Sequence, residues 1–154
     1  MKEAITGWLR SHEQAMVESL CGLVKLPAVS PTDGGSGELA KAEWLSDLVK
    51  RLGLPAPKRY EAPDPSARGG ARPNLVIEIP GRTPARTWFV THLDVVPEGD
   101  RSLWEFDPFT PFVKDGKVFG RGSNDNGQEM IASLYSAAAY LQLGIVPETC
   151  IGLA

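Results

Sequence analysis

The chain has 154 residues, of which 42% are hydrophobic and 23% charged, with a formal net charge of −3. That length suits one domain able to bury about two-thirds of its unfolded surface, and the composition excludes a disordered tail. No run approaches the ~18 uninterrupted apolar residues of a membrane span, and no Lys/Arg cluster exceeds a dipeptide, so neither nucleic acid nor a membrane is expected as a partner.

Small molecules are the expected partners. Met1 to Ile5 carries charge without the apolar core of a signal peptide, which predicts a cytoplasmic location. Cys21 and Cys150 stand far apart with no metal or redox spacing and are read as reduced core thiols.

In chain order, Ile5, Leu9, Val17, Leu20 and Val24 fall close to a 3.6-residue period and predict one amphipathic helix ended by Pro27. After a polar, glycine-rich loop, Leu39, Leu45, Leu48, Val49 and Leu52 predict a second helix, with Gly53 as cap and Pro55 beyond. The period then shortens to strands over Lys58 to Glu61, Asn74 to Ile79 and Thr87 to Val90. Pro63 to Pro73, rich in proline and glycine, reads as a surface loop between sheet partners. Val113 to Phe119 reads as a hairpin, because Asp115-Gly116 supplies the positive-φ pair of a type I′ turn. Gln128 to Leu143 predicts a third helix capped by Gly144, and Thr149 to Ala154 a buried strand. This order argues an α/β fold: a three-layer sandwich with a mixed, largely parallel sheet.

The chemistry centres on two segments. His92 and Asp94, two apart at the end of the Thr87 to Val90 strand, face one side at the carboxyl edge of the sheet, where α/β folds place ligands. A ligating imidazole needs its second nitrogen fixed by an oxygen, and Asp94 can do this. Asp125, 31 residues after Asp94, stands at the start of the third helix, where an acidic residue is often only a cap. The loop Gly120-Arg121-Gly122 can bring its carboxylate back to the sheet edge. The aromatic residues Trp104, Phe106, Phe109, Phe112 and Phe119 read as packing, Asp100, Asp107 and Asp115 as turn residues, and Arg121 as tying its loop to a carboxylate.

Together His92-Leu93-Asp94-Val95-Val96-Pro97, Gly99-Asp100, Trp104, Asp107-Pro108-Phe109, Pro111, Asp115-Gly116, Gly120-Arg121-Gly122 and Asp125 resemble the signature of the M20 metallopeptidases. That family includes acetylornithine deacetylase, succinyl-diaminopimelate desuccinylase, aminoacylase-1 and the carboxypeptidase G2 type. The resemblance implies the N-terminal half of a zinc-peptidase-like catalytic domain over residues 1–154. It also implies His92 as a ligand of one zinc, Asp125 as the bridge between two zincs (which cobalt can replace), and Asp94 as the catalytic-site carboxylate that orients His92. It makes Asp125-Asn126 a candidate cis peptide. Gly127-Gln128 departs from the commoner Lys-Gly, which leaves the subfamily open.

The family's Glu-Glu pair, further acidic ligand, last His and lid or dimerisation domain have no counterpart here. The implied parent activity is metal-dependent hydrolysis of amide bonds in N-acylated amino acids or small peptides, with this stretch inactive alone. The alternative is a non-catalytic binding or assembly module that keeps the fold. Self-association through an exposed sheet edge is expected in either case.

Overall fold

A computed structural model describes all residues, 1–154. In chain order it contains α1 (Lys2–Ser11), α2 (Glu13–Val24), α3 (Leu39–Arg51), β1 (Lys58–Pro63), β2 (Ala71–Ile79), β3 (Thr83–Phe89), β4 (Phe112–Lys114), β5 (Lys117–Phe119), α4 (Gln128–Gln142) and β6 (Thr149–Leu153). The predicted first helix is two helices. The Ser11 hydroxyl, at 2.7 Å, and His12 Nδ1, at 2.8 Å, both turn to the Trp8 carbonyl, and such side-chain bonds compete with the helical ladder. His12 takes φ −109° and ψ 9° between α1 and α2, its ring stacked 3.7 Å from that of Trp8.

Four strands form one sheet in the order β1-β2-β6-β3. β1 pairs antiparallel with β2 from Lys58↔Val76 to Pro63↔Ala71, so Ala71 to Pro73 belong to β2 and the connecting loop is shorter than predicted. β6 lies antiparallel to β2 through Ile77↔Leu153 and Ile79↔Ile151, and parallel to β3 through Thr87↔Ile151 and Phe89↔Leu153. The α/β class and the mixed sheet stand, but the balance differs from the largely parallel sheet expected: only the β3–β6 ladder is parallel. β2 alone runs against the other three strands; its antiparallel pairing with β1 follows from the short loop that joins the two.

The helices pack on the sheet face carrying Ile77, Ile79 and Leu153, and these join Leu23, Leu45, Leu48, Val49, Ile131, Leu134 and Tyr135 in the main core. Burying each large aliphatic side chain there contributes about 1.5–3 kcal/mol. Of the three layers expected, this chain builds the sheet and one helical layer. On the opposite face, Trp88 lies on Gly152, where a Cβ would fall 2.3 Å from its ring. β4 and β5 make the predicted hairpin, with positive φ at Asp115 (50°) and Gly116 (70°). Phe106 meets Phe112 edge-on at 4.8 Å, and Phe112 stacks on Phe119 at 4.9 Å. These aromatic rings pack on one another, as their pattern suggested. No helix is long and apolar enough to cross a membrane, and both cysteines are free thiols.

Candidate metal centre

His92 follows β3 by three residues, and the chain after it is held at both ends. Thr91 N–H donates to the Ala154 carbonyl at 2.7 Å, and Val95 N–H to the Ala28 carbonyl at 3.0 Å. Asp125 arrives from the other side on the turn Ser123–Gly127, where Asp125 (φ −109°, ψ 98°) and Asn126 (φ −126°, ψ 21°) leave helical geometry. The Asp125–Asn126 peptide bond is cis. α4 begins only at Gln128, and the Asp125 side chain caps nothing; it meets His92 Nε2 at 2.9 Å through Oδ1. The two segments are also tied directly, His92 N–H donating to Asn126 Oδ1 at 3.3 Å.

On the other edge of the ring, Nδ1 lies 3.0 Å from the Asp94 carbonyl oxygen and 3.4 Å from the Asp94 carboxylate. A backbone carbonyl only accepts, so Nδ1 carries the proton and a neutral ring presents a lone pair at Nε2. That lone pair faces a carboxylate oxygen that has only lone pairs of its own. A cation is therefore called for between Nε2 and Oδ1, a proton or a metal ion. Two ligands of a tetrahedral zinc lie roughly 3.4 Å apart when each is ~2.1 Å from the metal, so the pair needs to open by only about half an ångström. His92, Asp94 and Asp125 side chains are 46%, 49% and 79% exposed, which leaves the pair open to solvent. No group of three or more His, Cys, Asp or Glu side chains is gathered to hold a metal ion. The chain thus fits a metal with two donors, fewer than the three protein ligands of a catalytic zinc.

Gly122 makes the approach of the two segments possible. It has φ 81°, and a Cβ there would fall 2.6 Å from Cγ1 of Val95, which is buried just beyond Asp94. Gly122→Ala is expected to destabilise the chain by about 1–3 kcal/mol and to drive the Asp125 turn away from His92. Thermal melting checks this, and an unchanged midpoint would show that the loop is not constrained as described.

Beneath the loop lies a charged group that the sequence reading did not single out. Glu38, Lys41 and Arg72 come together from α3 and β2. Lys41 is 5% exposed, and Nζ donates to the Leu93 carbonyl at 2.8 Å. Burial pushes its ammonium down to about 8, against the opposing pull of Asp94 and Glu38. Glu38, 4% exposed, accepts both Arg72 Nε, at 3.1 Å, and Arg72 Nη2, and this bond raises the guanidinium further above its usual range. The sequence did hold a signal. Lys41 stands at the head of the stripe Leu45, Leu48, Val49 and Leu52, a lysine where the helical period calls for an apolar residue.

A cavity of about 520 Å³ opens beside His92 and Asp94. One wall is Asn74, Leu75 and Val76 of β2, whose flank toward β6 is unpaired, since that ladder covers only Ile77 to Ile79. Arg121 differs from its predicted role: it reaches no carboxylate. Its guanidinium stands 5.2 Å over the Trp104 ring, with Nη2 3.5 Å from the Glu98 carbonyl.

Residues 88–154, which include His92, Asp94 and Asp125, match the model of the peptidase family M20/M25/M40. Over those residues the chain matches the M20 family. It is 36% identical over 132 residues to an uncharacterized metallohydrolase of Methanocaldococcus jannaschii, an alignment covering 82% of this chain and 32% of that protein. It is 34% identical over 133 residues to succinyl-diaminopimelate desuccinylase of Paracidovorax citrulli, covering 86% of this chain and 32% of the relative. Among solved structures, human carnosine dipeptidase 1 superposes with a TM-score of 0.80 at 24% identity, over 98% of this chain and 33% of that one. An M20 family metallo-carboxypeptidase of Sulfolobus solfataricus gives 0.72 at 23% identity, over 90% and 29%. The chain spans about a third of the length of the M20 relatives it matches. The structural likenesses establish the shared fold, and the match to the M20 family is one that implies a divalent metal.

Proposed function

We propose that residues 1–154 form the amino-terminal part of an M20 catalytic domain and supply two ligands of a dinuclear zinc site. The reaction is hydrolysis of an amide bond in an N-acylated amino acid, by deacetylation or desuccinylation, or in a small peptide. The observation that carries this reading is the approach of His92 Nε2 to Asp125 Oδ1 at 2.9 Å. Asp94 holds the proton on Nδ1 through its carbonyl, which keeps Nε2 free to coordinate and fixes the ring plane. The exposed Asp125 carboxylate has a second oxygen free to reach another cation, as a bridging ligand must. When bound, zinc supplies a Lewis acid for the substrate carbonyl and lowers the pKa of a water toward neutrality. The complete reaction requires further donors and a general base beside this pair. The open edge of the sheet at β3, with Trp88, Phe89 and Val90 exposed, supports self-association of the chain as it stands.

With two donors per site, the purified chain is expected to retain less than one zinc per molecule and to show no amidase activity with added zinc or cobalt. Excess zinc is nonetheless expected to shift the ring signals of His92, and Asp125→Ala to abolish that shift. Elemental analysis and histidine NMR make the test. Stoichiometric retention of two zincs would overturn the incomplete site, and a zinc response untouched by Asp125→Ala would overturn the ligand pair.

A further inference from the structure

We infer that Lys41 is a positioning residue of this metal site, setting the orientation of His92 through the Leu93 carbonyl. The inference rests on the reading of His92 and Asp125 as metal ligands. Leu93 sits between the two residues that make the His92 side of the centre, and its carbonyl is fixed by the Lys41 ammonium at 2.8 Å. Holding that oxygen fixes the peptide plane joining Leu93 to Asp94. The next carbonyl along, that of Asp94, receives the Nδ1 proton of His92. The bond from Lys41 on one side of Asp94 and the Val95 N–H bond to Ala28 on the other thus hold the carbonyl that meets the Nδ1 edge of the imidazole, opposite the edge that meets Asp125.

Burying a lysine is costly, and at this place in α3 an apolar residue would pack against the same core. The charged neighbours fit a positioning role: Glu38 and Asp94 both favour the charged form of Lys41. Glu38 is itself anchored by Arg72 from β2, so the ammonium is held in a fixed frame between helix and sheet. Lys41 touches neither ligand and would act only through Leu93 and Asp94.

The chain has two histidines, so its ring Cε1–Hε1 spectrum contains one reporter at the site, His92, and one internal control, His12. In Lys41→Met the His92 signal is expected to shift or broaden while that of His12 stays. Zinc affinity, followed at the same signal, is expected to fall about 10–100-fold, the usual effect of losing a group that orients a metal ligand. Thermal stability should hold or rise. Lys41→Arg, which keeps a cationic donor, is expected to restore the His92 signal and most of the affinity. A His92 signal in Lys41→Met that superimposes on the wild type, with zinc affinity within about twofold, would overturn the inference.

If zinc leaves His92 of the wild type unmoved, the metal reading fails, while the metal-free spectra still decide whether Lys41 positions the ring. Should Lys41→Met not fold, the wild type supplies the test at pH 6. A slowly exchanging Lys41 ammonium signal coupled to the Leu93 carbonyl carbon supports the contact, and a fast-exchanging one like that of a surface lysine refutes it.

Discussion

Arg72→Ala is expected to lower the free energy of unfolding by about 2–4 kcal/mol. Its partner Glu38 is almost wholly buried at the start of α3, and both carboxylate oxygens are taken up by the Arg72 guanidinium. Removing the arginine leaves a buried carboxylate without its bidentate partner, and breaking a fully buried pair in this way costs about 3–5 kcal/mol. The Arg72 side chain is itself 37% exposed, so water can partly replace it, which discounts the cost to about 2–4 kcal/mol. The loss comes mainly from the stranded charge, so Glu38→Gln combined with Arg72→Ala should recover more than half of it. Urea unfolding of the two single variants and the double variant measures the coupling. If Arg72→Ala changes stability by less than about 0.5 kcal/mol, the pair is an ordinary surface contact despite the burial of Glu38.

The second large effect concerns pH. Lys41 binds its proton less tightly in the folded chain, at about 8, than at its ordinary value of 10.5. Where both states are protonated, below about pH 8, folding carries the full cost of burying the ammonium. As pH rises from about 8 to 10.5 the folded state releases its proton first, the unfolded state holds more protons, and stability from this group increases. The ceiling is about 3 kcal/mol, from the 10.5 − 8 difference at ~1.36 kcal/mol per pH unit. Lys41→Met should accordingly be more stable than the wild type near pH 7, with the gap closing toward pH 10.5. Denaturant titrations of both proteins at pH 7, 8.5 and 10 compare the two, which cancels the titration of other groups. A stability gap that stays constant across that range would mean the ammonium is not desolvated.

How much of this was legible in the sequence depended on how local each signal was. The Asp115-Gly116 turn could be read directly, because positive φ at two successive residues is a property of those residues alone. His92 and Asp94 could be placed together by their spacing, although the strand period invoked for them does not apply because β3 ends at Phe89, and Asp125 could be placed near them by the glycines that precede it. The break at His12 was not legible, since it arises from two side chains sharing the Trp8 carbonyl while the apolar period runs on unbroken. The pairing directions were not legible either: β6 is parallel to one neighbour and antiparallel to the other, and nothing in Thr149–Leu153 encodes which strands flank it. The Glu38–Lys41–Arg72 group lies furthest from sequence reading. Arg72 reaches Glu38 across 34 positions and Lys41 reaches the Leu93 carbonyl across 52, and only the misplaced lysine on an apolar stripe hinted at the group.

The order of strands has a consequence for how the chain comes into being. β2 and β3 are consecutive, ending at Ile79 and starting at Thr83, yet they do not pair; the gap between them is filled by Thr149–Leu153. As the polypeptide leaves the ribosome, a hairpin of β1 and β2 can form early, while β3, which ends at Phe89, has no partner until Thr149–Leu153 has been made, about sixty residues later. The Thr91 N–H, one residue before His92, waits for the carbonyl of Ala154. The Thr91 end of the His92 arm therefore gains this bond only after β6 has been made and has taken its place between β2 and β3.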